Sequence, residues 1–156
     1  MAKIKTILFA EDDEVILTAY RRHLKQAGYA VLSAHDGLET LKNLSLFTPD
    51  LVILDLMMPK FDGAELLQHL YRTPQLAKVA VFILSSKCFI DAEQEYLMKL
   101  ADKYLIKQDC TPAILLQAIQ EQFSGRLQTK PPSAAAHSDV SAPSIVRAGL
   151  KLYSTN

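Results

Sequence analysis

The 156-residue chain has no tryptophan, two cysteines and five glycines, and none of its apolar runs approaches the ~20 residues that a membrane-spanning helix requires. Cys88 and Cys110 are too few for a disulfide framework, and neither belongs to a CxxC pair or a Cys/His metal spacing, so both read as ordinary reduced thiols. The opening, Met1 to Thr6, lacks the apolar core of a signal peptide. With neither leader nor span, the expected compartment is the cytoplasm. A surplus of either charge is missing too. The 17 basic residues balance 17 acidic ones, so the totals indicate neither a nucleic acid nor a membrane as partner.

What is present is an ordinary globular composition, 49% apolar and 22% charged, over about one domain's length. The charge is unevenly placed. Arg126, Lys130, Arg147 and Lys151 face only Asp139 after Ser124, so the main body is mildly acidic and the tail mildly basic. Apolar periodicity in the first 124 residues alternates between short runs and helical faces. Strands are expected over 4–10, 30–34, 51–54, 79–84 and 102–106. Helices are expected over 15–27, from Gly37 through Leu46, over 63–71, around 92–100 and over 112–123. The first helix would turn Val15, Ile16, Ala19, Tyr20, His23, Leu24 and Ala27 to one face, and Gly28 would end it in a left-handed cap. The second would carry Leu38, Leu41, Leu44 and Leu46. Thr111 and Pro112 suit the cap and first position of the last helix. Five strand–helix units of this kind predict an α/β fold, a doubly wound five-stranded parallel sheet with helices on both faces.

Leu51 to Leu54 is apolar throughout and runs directly into Asp55, with Pro59 four residues later. This is the pattern of a strand buried on both faces, ending in a carboxylate at the edge where open α/β sheets bind ligands. The other expected strands end likewise in polar groups: Glu11 and Asp12 after the first, Ser85 on the fourth, Lys107 after the fifth. In a flavodoxin-like strand order 2-1-3-4-5, these ends line one crevice. Any one of them has an ordinary explanation. Glu11 and Asp12 could cap the first helix, Ser85 could be a turn residue, and Lys107 a solvated lysine. Together they bring three carboxylates, a hydroxyl and an ammonium to one place. Three carboxylates so close raise each other's pKa, and a divalent cation such as Mg2+, held by oxygen ligands, relieves the repulsion. A carboxylate beside Mg2+ and a lysine suits in-line attack on phosphorus.

These residues carry a family resemblance. The chain from Lys3 to Phe123 resembles the receiver domain of two-component response regulators. The first strand closes on Glu11, Asp12 and Asp13. Asp55 to Gly63 fits the pattern D-x-x-M-P-x-x-D-G. Phe82 to Ser85 ends in the hydroxyl expected there, with Ser86 where alanine is usual, and Ala101 to Lys107 fits A-x-x-Y-L-x-K. The resemblance implies that Asp55 is a phosphoacceptor, served by a sensor histidine kinase or phosphotransfer protein. It implies Mg2+ bound by Asp12, Asp55 and the Met57 backbone carbonyl, with Glu11 acting through a metal-bound water. Ser85 and Lys107 would contact the phosphoryl oxygens, and Tyr104 would turn inward on activation and change the partner preference of its surface. Catalysis would be confined to the protein's own phosphorylation and dephosphorylation. Three positions depart from the family: Gln108 for the usual proline, Ser86 for a small apolar residue, and Leu100 for glycine. A trans bond is expected at Gln108, because a non-proline cis bond costs roughly 3 kcal/mol.

Residues 125–156 read differently. They are rich in Pro, Ser and Ala, as a flexible tail would be, until Ile145, Val146, Leu150, Leu152 and Tyr153 suggest a short docking segment. They are too few for a helix-turn-helix output domain, so signalling through an unknown output protein is expected, from a monomer or weak homodimer. Two other functions compete with this one. A phosphorylation-independent adaptor would have lost Asp55, the acidic pair or Lys107, and none is lost. A phosphohydrolase acting on external substrates usually needs a second acid at position 57, where this chain has Met57.

Overall fold

A computed structural model describes residues 3–60, 63–86, 96 and 99–125. Five parallel strands form one sheet: β1 (Thr6–Ala10), β2 (Ala30–Ala34), β3 (Leu51–Leu54), β4 (Ala80–Ser85) and β5 (Lys103–Ile106). Their order is β2-β1-β3-β4-β5, the flavodoxin-like order expected from the sequence. β3 is buried at every position and β1 from Ile7 onward, whereas β5, at the edge, is only half-buried. The unbroken apolar runs therefore mark the central strands, which have helices over both faces.

The helices are α1 (Glu14–Gln26), α2 (Gly37–Leu46), α3 (Gly63–Arg72) and α4 (Pro112–Phe123), with a 3-10 turn at Lys107–Asp109. The helix expected around 92–100 falls mostly outside the described residues, although Tyr96, Lys99 and Leu100 are helical. Residues 126–156, and with them the expected docking segment, also lie outside. Alternate side chains of the sheet feed two cores. Leu8, Val52, Leu54, Val81 and Ile83 pack with Leu44 of α2 and Leu66, Leu67 and Leu70 of α3. Ile7, Phe9, Ile53, Phe82 and Leu84 pack with Leu17, Tyr20 and Leu24 of α1 and Leu115 and Ile119 of α4.

Two expected helix faces differ from the observed ones. α1 buries Leu17, which the expected face lacked, together with Tyr20 and Leu24, while Val15 is 79% exposed. In α2, Leu38 and Leu46 lie on the solvent side. A helix lying on a sheet buries one stripe, and leucines outside the stripe remain wet. Gly28, with φ of 92°, takes the left-handed position after α1. Thr111 caps α4, its hydroxyl accepting from the Ile114 N–H at 3.3 Å, with Pro112 in the first turn as expected.

The sheet is also tied at its amino-terminal edge, away from the site. The Asp50 carboxylate accepts from the Thr6 N–H and from Lys5 Nζ, each at 2.9 Å, and its own N–H donates to the Thr6 carbonyl at 2.8 Å. This brackets the starts of β1 and β3. Burial alone would raise the Asp50 pKa, but the Thr6 N–H and the Lys5 charge outweigh it and hold the carboxyl below its ordinary value. A depressed folded-state pKa gives stability that is present above the unfolded pKa and lost as pH falls through the folded one. Asp50→Ala is therefore expected to lower stability by about 1–2 kcal/mol at neutral pH. The gap between variant and native protein should shrink below about pH 4. Urea denaturation from pH 3 to 7 checks both; a gap that stays constant into acid would show that the charge contributes nothing.

Candidate functional site

β1, β3, β4 and β5 end on the same edge of the sheet, so their terminal polar residues meet. Glu11 follows β1 and is fully buried, and Asp55 follows β3 and is 2% exposed. The Asp55 N–H donates to the Ala10 carbonyl and the Glu11 N–H to the Ala34 carbonyl, each at 3.0 Å, so the ladder itself sets where both acids begin. Lys107 comes from the turn after β5 and crosses to them. Its Nζ lies 2.6 Å from Glu11 Oε2 and 2.7 Å from Asp55 Oδ2. The other Asp55 oxygen, Oδ1, accepts from the Met57 N–H at 2.9 Å.

Asp12 completes the acidic group. Glu11, Asp12 and Asp55 each present a carboxylate oxygen within 4.8 Å of the other two, and Asp12 is the exposed member. Capping of α1 falls instead to Asp13, whose Oδ1 accepts from the N–H groups of Val15 and Ile16 at 2.9 and 3.1 Å. The side-chain cap of α1 is therefore Asp13 rather than Glu11 or Asp12. Glu11 Oε1 takes the Asp13 N–H at 3.1 Å. Glu11 Oε2 pairs with the Lys107 ammonium at 2.6 Å.

Burial pushes the Glu11 carboxyl up from its ordinary value, against the opposing pull of Lys107, and the charge of Asp55 adds to the rise. For Lys107, burial favours the neutral amine, but hydrogen bonds and charge from Asp55 and Glu11 outweigh it and raise the pKa. The lysine is thus held cationic, and among the described residues it is paired with two of the three acids, Glu11 and Asp55. An oxygen-only donor set with a surplus of negative charge, two members buried and one open to water, fits a hard divalent cation.

The loop that follows Asp55 is pinned by its own sequence. At Gly63, which begins α3, a Cβ would stand 2.7 Å from Leu56 Cα and 3.2 Å from the Leu56 carbonyl oxygen, so only glycine allows this approach. Lys60 adopts φ of 66° and places its ammonium 2.9 Å from Asp36, the cap of α2. Ser85 is 1% exposed at the end of β4. Leu54 opposes Ile83, which sets Ser85 one step beyond the level of Asp55. Tyr104 sits opposite Ile83 on β5, half-buried against the α2–α3 side core. Ser86 is exposed and Leu100 packs on that core. The bond into Gln108 is trans, as are all peptide bonds among the described residues. The sequence offered no sign of the Met57 N–H on Asp55, since backbone donors carry no residue signature.

Residues 7–120 match the family model described as the response regulator receiver domain. The chain is 37% identical over 106 residues to the alkaline phosphatase synthesis transcriptional regulatory protein PhoP of Bacillus subtilis, covering 66% of this chain and 42% of that protein. It is 33% identical over 129 residues to the response regulator MprA of Mycobacterium tuberculosis, covering 83% and 54%. The chain thus spans about half, or less, of the length of these relatives. Among solved structures, the chemotaxis response regulator CheY4 of Vibrio cholerae superposes with a TM-score of 0.69 at 26% identity, over 76% of this chain and 98% of that one. The Mn2+-bound form of response regulator Rcp1 gives 0.64 at 26% identity, over 81% and 99%.

The raised Glu11 pKa has a testable consequence. Because the folded value lies above the unfolded one, metal-free stability falls as pH rises from the unfolded pKa through the folded one. In Glu11→Gln that fall is expected to be missing, which makes the metal-free variant more stable than the native chain at pH 7. A bound divalent cation should reverse the ranking, adding about 2.7 kcal/mol to the native protein at a hundred times Kd. Urea midpoints in EDTA and in MgCl2 check this; a variant that is weaker in both would show that Glu11 is structural.

Proposed function

The chain belongs to the response regulator receiver domain family, and from that membership we propose that it is a phosphoacceptor module of a two-component phosphorelay. Asp55 accepts a phosphoryl group from the phosphohistidine of a sensor kinase or phosphotransfer protein. The observation that carries this reading is the buried Asp55 carboxylate, held between the Met57 N–H and Lys107 Nζ beside Glu11 and Asp12.

The chemistry follows from those contacts. An Asp55 oxygen attacks phosphorus in line, the new P–O bond forms as the P–N bond to imidazole breaks, and the imidazole nitrogen leaves with the electron pair. The protein has no proton to remove from the nucleophile, so its work is positioning and charge. Lys107 is a preplaced cation that can turn from the Asp55 carboxylate to the arriving phosphoryl oxygens, and Ser85 supplies a hydroxyl at the same edge. Asp12, Asp55 and the Met57 carbonyl would hold Mg2+, with Glu11 acting through a bound water, and the ion would supply the remaining positive charge.

Readout uses the same groups. The phosphoryl oxygens favour a packing in which Ser85 and Lys107 both reach them, and Tyr104, on the strand beside Ser85, moves inward in that packing. The face carrying Tyr104 then changes its affinity for an output protein. The protein acts in the cytoplasm, as a monomer or weak homodimer, and its chemistry resides in residues 1–124, with 125–156 serving as tail.

Incubation with acetyl phosphate and MgCl2 should add the mass of one phosphoryl group, and neither Asp55→Asn nor EDTA-treated protein should gain it. Intact mass spectrometry reads this directly. Failure with acetyl phosphate and also with a phosphorylated histidine donor protein would remove the phosphoacceptor role. Deletion of 126–156 should leave the gain unchanged; a slower gain would bring the tail into the site's chemistry.

A further inference from the structure

We infer that Tyr20, on α1, is a positioning residue for Lys107. Its hydroxyl holds the turn after β5 and so fixes where the lysine's ammonium stands. The inference rests on the proposed part of Lys107 in phosphoryl transfer to Asp55.

The Tyr20 hydroxyl is buried and donates to the backbone carbonyl of Cys110, across 90 residues of sequence. Its ring meets Phe9 of β1 edge-on, with centroids 5.6 Å apart and planes at 70°. Phe9 lies two residues before Glu11. One side chain therefore packs on the strand that delivers an acid and bonds to the turn that delivers its counter-charge. Burial first, then the neighbouring Cys110 and Glu11, push the phenol up to about 12, which keeps it a neutral donor at any working pH.

The turn gives that bond its leverage. Lys107–Asp109 is a single 3-10 turn closed by the Cys110 N–H on the Lys107 carbonyl at 3.3 Å. Gln108 and Asp109 are exposed, whereas Cys110 is buried in the core shared by α1 and α4. The turn is thus anchored at Cys110 and free of packing at its middle. Tyr20 fixes the anchor, and one turn of backbone passes the constraint to Lys107. The two ion pairs, at 2.6 and 2.7 Å, leave the ammonium little slack. A misplacement of about 1 Å at a reacting centre can cost on the order of 100-fold in rate.

The experiment compares the full chain with Tyr20→Phe, Lys107→Ala and the double variant. Tyr20→Phe keeps the ring on Phe9 and deletes only the hydroxyl. With saturating MgCl2 and acetyl phosphate, Tyr20→Phe should slow phosphoryl uptake about tenfold, with Mg2+ affinity unchanged because none of its ligands has moved. In the Lys107→Ala background it should add nothing, since the group it positions is gone. Amide hydrogen exchange at 107–110 should quicken in Tyr20→Phe. A hydroxyl that merely stabilises the fold predicts equal losses in both backgrounds, and that result would overturn the inference. So would an unchanged rate in Tyr20→Phe while Lys107→Ala is slow, which leaves the role of Lys107 standing. If the native chain accepts no phosphoryl group, the functional reading fails by itself, and hydrogen exchange decides: quickening confined to 107–110 supports the Tyr20 anchor, and no quickening overturns it.

Discussion

One ammonium shared between two buried carboxylates is the interaction on which this structure depends. Lys107 Nζ stands 2.6 Å from Glu11 and 2.7 Å from Asp55, and both acids are almost wholly out of water. Two desolvated carboxylates at this separation repel strongly without a cation between them. Each of the three groups comes from a different strand end, so the charges can meet only if β1, β3 and β5 finish at one edge with β1 and β3 adjacent. The order β2-β1-β3-β4-β5 satisfies that condition. Sheet topology and site electrostatics are in this sense one constraint.

The backbone around the crevice is arranged so that the acids stay available. Asp13 takes over the cap of α1, which would otherwise engage Asp12 or Glu11. Gly63 lets α3 start against Leu56, which holds the loop in the path that points the Met57 N–H at Asp55. Lys60 closes the outer side of the same loop onto Asp36. These contacts position a carboxylate without neutralising it. Among the described residues the lysine's single charge stays short of the three acids, and that deficit suits a divalent cation.

Much of this was legible in the sequence because it follows from patterns with a physical period. The all-apolar 51–54 could only be an interior strand, and β2 spans the expected 30–34. Glu11, Asp12, Asp55, Ser85 and Lys107 could be placed because each stands at the carboxyl end of an expected strand. In α1, Val15 and Ala19 are apolar yet face away from the sheet while Leu17 faces it, and hydrophobicity alone does not tell a stripe's centre from its margin. Leu38 and Leu46 of α2 failed for the same reason. The Met57 N–H and the Tyr20 hydroxyl were invisible for a different one. The first is a backbone group, and the second finds its partner 90 residues away.

The remaining question is why a fold would keep such an arrangement when it opposes stability. Burial that raises the Glu11 pKa makes the ionised site costly in the metal-free protein. An apolar crevice of the same shape would be more stable, since a buried ion network seldom outperforms packed hydrocarbon. The cost is tolerable because the cores on either side are continuous and do not involve these residues: Leu8, Val52 and Ile83 on one face, Phe9, Ile53 and Phe82 on the other. The sheet's interior carries the stability and its edge carries the charge. The charge repulsion is therefore confined to the few residues beyond the strand ends, and its relief by a cation would be felt where the loops leave the sheet. A turn such as 107–110, anchored at one residue and exposed in its middle, is where a change of charge balance can become a change of shape without disturbing the core.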